Sequence, residues 1–194
     1  MRIIMGEGDT MPSIAENSTN KTKIKKKFLG LVQYVIFLIV FYIIFSFGIG
    51  IVQVSGYSME PSLKDGSYLL TNKLASHITK ASYGDVVVVK ENHQQFYIVK
   101  RVIGVPGDTI SISGGKVYVN NLAIPELYAM GIPNDMDPII VPEDHIFVMG
   151  DNRTPGESLD SRDPTVGPIP NTSVKGYPIL SLFPFYKIAG PLDL

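Results

Sequence analysis

The sequence predicts a mainly β protein: an all-β domain carried behind a single N-terminal transmembrane helix. Three observations lead there. One stretch, residues 28–54, runs for 27 positions without a charge. After it come several short runs rich in Val, Ile, Thr and Tyr, some alternating apolar with polar at the period of two that a half-buried strand requires. Gly and Pro recur between these runs and no sustained 3.6-residue period is visible, which argues for strands and turns rather than helices.

The uncharged run is long enough to cross a bilayer. As a helix its 27 residues span roughly 40 Å, against a hydrocarbon core of about 30 Å. Lys21, Lys23, Lys25, Lys26 and Lys27 crowd its N-terminal flank, so the positive-inside bias keeps the N-terminus cytoplasmic. The expected organisation is a disordered basic cytoplasmic tail (1–27), a transmembrane anchor helix (28–54) and an extracytoplasmic β-rich domain (55–194), crossing the plasma membrane once. The polar, aperiodic first 20 residues carry the expectation of disorder. A cleaved secretory signal is the competing reading. The run is about twice the length of such a core and residues 48–54 lack an Ala-x-Ala-like site, so a retained anchor is expected.

Residues 85–89, an Asp followed by four Val, read as a buried strand, and residues 96–103 as another. Residues 109–113 alternate, Gly114 and Gly115 turn, and residues 116–120 alternate back: a β-hairpin by turn chemistry and by period. Residues 145–149 form a further strand ending at Gly150. The stretch 124–142 carries four prolines and is expected to be irregular. A domain of about 140 residues buries a sufficient core without covalent staples.

Composition removes several kinds of chemistry. With no cysteine there are no disulfides, thiolate metal sites or cysteine nucleophiles. The formal net charge of −1 hides an asymmetry: residues 1–27 hold six Lys/Arg against three Asp/Glu, and residues 55–194 hold 11 against 15. An acidic outer domain has no basic footprint for nucleic acid.

Ser58 lies four residues beyond the uncharged run. A serine hydroxyl needs a base before it is a useful nucleophile. His77 and His93 sit in polar stretches, His145 opens a strand, and Glu60 occupies the last glycine position of a Gly-x-Ser-x-Gly elbow, so no histidine triad is recognisable. Lysine serves instead where burial in apolar surroundings strips its proton near neutral pH. Around Lys100, Phe96, Ile98 and Val102 share one strand face, while Tyr97, Val99, Arg101 and Ile103 share the other. Both faces are apolar, so periodicity alone does not choose between them. Arginine stays protonated, which leaves Lys100 as the candidate base.

Four groups of residues then stand in order: Ser58, Met59 and Pro61; Lys100, Arg101, Gly104, Pro106, Gly107 and Asp108; Gly150, Asp151, Asn152 and Arg153; and Ser158, Asp160, Ser161 and Arg162. With the Gly-Asp-Val-Val-Val element at 84–88 and the preceding anchor, they resemble the boxes of type I signal peptidases. A single span and a compact domain are most similar to the Gram-positive members. The resemblance implies Ser58 as nucleophile and Lys100 as general base. It implies Ser158 as the hydroxyl that orients the lysine amine, Asp160 and Arg162 as a structural ion pair, and Gly150, Asp151 and Asn152 as the turn beneath the site. Gly56 stands where some members have a serine whose hydroxyl joins the oxyanion hole. Here backbone N–H groups would serve, chiefly that of Ser58 with Gly56 beside it. Two loops, 154–157 and 163–166, are each about two residues longer than the family pattern.

The implied protein is a membrane-anchored serine endopeptidase that removes signal peptides from exported preproteins by a Ser/Lys dyad. It would work as a monomer against the lipid bilayer, with no metal, no cofactor and no nucleic-acid partner. A self-cleaving Ser/Lys repressor relative shares the dyad, but the span and the acidic domain argue against a DNA-linked role. The alternative of another class is an inactive paralogue or an anchored extracytoplasmic binding module.

Overall fold

The computed structural model describes residues 14–90 and 97–188. Helix α1 (Ile14–Gly48) carries large apolar side chains exposed all round, Phe28, Leu31, Tyr34, Ile39, Phe41 and Ile44 among them. From Lys25 to Phe47 no residue is buried, whereas Gly48, where the helix meets the sheet, is. A helix apolar on every face needs an apolar solvent, and this one is long enough to span a membrane. The chain divides into two compact units at Phe45/Ser46.

The helix differs from expectation at both ends. It stops at Gly48, and the rest of the uncharged run enters strand β1 (Ile49–Gln53). Two glycines, 48 and 50, weaken the helix there, and β-branched Ile49, Ile51 and Val52 suit a strand. The C-terminal carbonyl of Gly48 accepts from the Lys73 N–H (2.9 Å), which ties the last turn to the sheet. At the other end, residues 14–27 are helical where a disordered tail was expected, since lengthening an existing helix is far easier than starting one. Residues 1–13 of that tail, and His93 and Phe96, lie outside the described residues.

Beyond α1 the chain is almost entirely β. Strands β1, β2 (Tyr68–Asn72), β3 (Val86–Lys90), β4 (Tyr97–Gly104), β9 (His145–Met149), β10 (Ile169–Pro170), β11 (Val174–Phe183) and β12 (Phe185–Lys187) make an eight-stranded antiparallel sheet. Its order is β1-β2-β11-β3-β4-β9-β10, with β12 folded back on β11. Strands β5 (Thr109–Ser113), β6 (Lys116–Val119), β7 (Leu122–Ala123) and β8 (Met136–Ile140) form a second sheet in the order β7-β6-β5-β8. The predicted hairpin is β5–β6, with Gly114 and Gly115 at φ 57° and 75°, the left-handed pair such a turn requires. A four-residue helix, α2 (Ala75–Ile78), follows β2.

Strand β8 was expected to be irregular because of Pro138. It occupies the edge of its sheet, where a missing N–H is tolerated, and its register on β5 shifts between Ile110 and Ile112. Apolar residues of β3, β4, β9, β10 and β11 pack one face of the large sheet, including Val87, Val89, Val102, Ile146 and Val148. The other face packs Val54, Met59, Leu63, Leu69, Val86, Val88 and Val99.

Two sheet edges stay unpaired among the described residues. The outer side of β1 has no neighbour, and residues 97–100 of β4 pair only with β3, because β9 begins its pairing at Arg101. The sheet curls so that these two edges line one cavity.

Candidate active site

Ser58 sits in the loop between β1 and β2, and the loop is held from several sides. The Asn152 N–H donates to the Ser58 carbonyl (3.0 Å) and the Asn152 amide Nδ2 to the Tyr57 carbonyl (3.3 Å). Met59 and Leu63 drop into the core behind the serine. Gly150 is where a side chain cannot be accommodated: a Cβ there would collide with the Ser58 carbonyl oxygen and the Ser158 hydroxyl. The turn Gly150–Asn152 therefore lies against the loop that carries Ser58.

Lys100 reaches the same point from β4. Its Nζ donates to Ser58 Oγ at 2.7 Å, and the residue is only 3% exposed. Antiparallel register sets Val87 directly opposite Lys100, and Ile98 and Val102 lie on the same strand face. Burial pulls the amine from its ordinary value down to about 8. The Asp160 carboxylate opposes that shift, the Arg162 guanidinium adds to it, and Asp151 opposes it. Both strand faces are buried because β4 lies inside the sheet with packed clusters on either side.

Asp160 anchors the wall next to the amine. It accepts Nε and Nη2 of Arg162, both at 2.8 Å, and the Gly150 N–H at 2.9 Å. Burial raises its carboxyl, but the Arg162 bonds and charge, with the Ser158 hydroxyl and Gly150 N–H, hold it below the usual carboxylate range. Ser158 was expected to orient the amine. Instead its hydroxyl donates to Asp160 Oδ2 at 2.6 Å, the ionised carboxylate being the stronger acceptor, and it makes no hydrogen bond to Lys100. The two longer loops close as local turns: the Glu157 N–H returns to the Thr154 carbonyl, and Asp163 caps Thr165, Val166 and Gly167. Both extensions leave the Asp160–Arg162 pair intact.

Of the two oxyanion donors expected, one is already engaged. The Gly56 N–H donates to Asp65 Oδ1 at 2.8 Å, with Gly56 at φ 96°. The Ser58 N–H has no protein acceptor among the described residues. Neither described histidine lines the Ser58–Lys100 cavity; His145 Nδ1 lies 2.8 Å from the Glu143 carbonyl.

Arg101 is the residue whose importance the sequence reading missed. Its Nε and Nη2 donate to both carboxylate oxygens of Asp151 (2.8 and 2.7 Å), and both side chains are wholly buried. Nη1 donates to the Gly84 carbonyl at 3.0 Å, and the Tyr128 ring lies 4.1 Å from the guanidinium carbon. Asp151 thus does more than shape a turn, because it clamps the Gly150–Asn152 segment to the strand carrying Lys100. The one available signal was the Lys-Arg dipeptide itself: adjacent strand residues point to opposite faces, so one guanidinium required a buried carboxylate.

The model of the family described as "Signal peptidase, peptidase S26" matches residues 28–183, which takes in the helix, the serine loop, β4 and the Asp160–Arg162 segment. The chain belongs to the S26 signal peptidase family. It is accordingly a peptidase, a peptide-bond hydrolase. A signal peptidase I of Bacillus licheniformis is 36% identical over 70% of this chain and 77% of its own length. Signal peptidase I T of Bacillus subtilis is 33% identical over 70% of this chain and 74% of its own. A crystal structure of a signal peptidase I from Enterococcus faecalis V583 aligns with 51% of this S26 peptidase and 97% of that chain, at 26% identity and a TM-score of 0.45.

Proposed function

We propose that this S26 peptidase is anchored in the plasma membrane by α1 and cleaves signal peptides from exported preproteins with Ser58 as nucleophile and Lys100 as base. The observation that carries this reading is the 2.7 Å contact between Lys100 Nζ and Ser58 Oγ, with the amine buried and its pKa near 8. In the charged form the amine donates to the hydroxyl. Once neutral, it accepts the hydroxyl proton while Oγ attacks the scissile carbonyl. The Ser58 N–H is free to stabilise the oxyanion. Collapse of the tetrahedral adduct breaks the C–N bond, Lys100 returns the proton to the leaving amine, and an acyl-enzyme remains. Water, deprotonated by the same amine, then hydrolyses the ester. Asp160, Ser158 and Arg162 are positioning residues, holding a fixed charge beside the base.

The two unpaired edges suit the substrate. An extended peptide entering between β1 and residues 97–100 completes the sheet through main-chain bonds, and the cavity of about 410 Å³ beside Ser58 and Lys100 takes small side chains. Every group in this scheme comes from one chain, so the proposal needs no second subunit.

Detergent-solubilised protein incubated with a signal-bearing preprotein should release a shortened mature chain; an unprocessed substrate would favour the inactive-paralogue or binding-module alternative. The kcat/KM profile should rise tenfold per pH unit below a limb near pH 8 and level off above it, as the base loses its proton. Ile98→Asp adds a negative charge on the Lys100 face, favours the ammonium and should move the limb to higher pH. A limb that stays put would show that burial does not tune the base.

Orientation is tested separately. Protease added outside protoplasts should digest residues beyond the helix and spare the lysine-rich tail, as the positive-inside bias requires. A protected C-terminal domain would overturn the export role.

A further inference from the structure

A second cavity, of about 780 Å³, adjoins the catalytic one. Gln53 and Tyr97 line both, so the two cavities adjoin in a trough between β1 and β4. Its far part is walled by Phe47, Ile51 and Val52 and carries Lys73, His77 and Lys175, with no carboxylate among the described lining residues. The aliphatic stem of Lys73 lies directly over Gly50: a Cβ there would strike Lys73 Cε. Lys175 Nζ donates to the Thr172 carbonyl (2.8 Å), and none of the three basic side chains forms an ion pair among the described residues.

We infer that this second cavity is an upstream peptide subsite that selects an acidic side chain in the segment preceding the cleavage site. The inference rests on the peptidase reading above. The trough leads from Ser58 back along β1 to Phe47, in the last turn of the apolar helix. A signal peptide's apolar core precedes its cleavage site and stays in the bilayer, so its residues upstream of the scissile bond run in that direction. Gln53 borders both cavities and Gly50 lies three residues before it on β1, about 10 Å of strand, so the peptide position beside Gly50 and Lys73 falls roughly three residues upstream of those in the Ser58 cavity. Two ammonium groups with no carboxylate beside them among the described residues attract a carboxylate there and repel a basic side chain.

The test uses the full chain in detergent and peptide substrates that differ only at the position six residues before the scissile bond, as Asp, Asn or Lys. Wild type should rank them Asp above Asn above Lys in kcat/KM, with roughly threefold or more between the extremes, the scale of half-exposed ion pairs. High salt should compress the ranking. The Lys73→Glu/Lys175→Glu double variant should invert it, and Lys73→Gln/Lys175→Gln should flatten it. An identical ranking in wild type and both double variants overturns the subsite. A flat ranking in wild type, together with activity that depends on anionic-lipid vesicles and loses that dependence on charge reversal, also overturns it and assigns the amines to lipid phosphate. Cleavage of none of the peptides by wild type, or equal cleavage by Ser58→Ala, overturns the peptidase reading itself and the subsite with it.

Discussion

Ser58→Ala, Lys100→Ala and the double variant should all fall to a common floor in a preprotein-processing assay, roughly 10⁴-fold or more below wild type. The losses should not add, because in the proposed mechanism the 2.7 Å contact joins nucleophile and base into one device: without the amine the hydroxyl would keep its proton, and without the hydroxyl the amine would have nothing to activate. What remains is binding and the oxyanion donor. His77→Ala and His145→Ala should process the same substrate at rates near wild type. Robust processing by Lys100→Ala would sink the lysine-base assignment.

Asp151→Ala should be the most damaging change outside the dyad. It leaves the fully buried Arg101 guanidinium without its bidentate partner, and breaking such a pair costs about 3–5 kcal/mol. For a domain of this size that lowers Tm by roughly 10 °C or more. Arg101→Met with Asp151→Leu removes both charges together and should recover most of the loss, since a buried ion pair and a well-packed apolar pair are of similar worth. Thermal unfolding of the three proteins decides the matter: an unchanged Tm for Asp151→Ala alone would mean the pair contributes nothing to stability. The rescued variant should nevertheless process substrate poorly, because the Arg101–Asp151 bonds also clamp the Gly150–Asn152 segment, which lies against the Ser58 loop, to the strand carrying Lys100.

Local chemistry was legible in the sequence, and partnership across distance was not. The β5–β6 hairpin follows from alternation and a Gly-Gly turn, and β3 from four consecutive valines. The apolar helix was visible, but its end was not. Charge-free composition does not distinguish a membrane helix from the edge strand that continues it, and pairing with β2 sets the boundary at Gly48. The four prolines of 124–142 concealed β8, since the tolerance of Pro138 depends on an edge position that only the assembled sheet reveals. Lys100 illustrates the limit best. Alternation left both strand faces open, and the choice of the amine rested on chemistry and on ordered boxes. The clusters that bury both faces come from strands far away in sequence. Arg101 and Asp151 lie 50 residues apart, and nothing local marks them as partners.

The helix passes into β1 with no intervening linker, and Ser58 follows Gly48 by ten residues, five of them fixed in a paired strand. Even a fully extended chain of that length reaches about 35 Å. For an anchored peptidase this is a fixed leash. Under the proposed anchoring it would act as a ruler measured from the bilayer, bringing only peptide bonds within a few nanometres of the lipid surface into range of the serine. Folded protein farther out, with acceptable small residues in its loops, would then be spared by height alone.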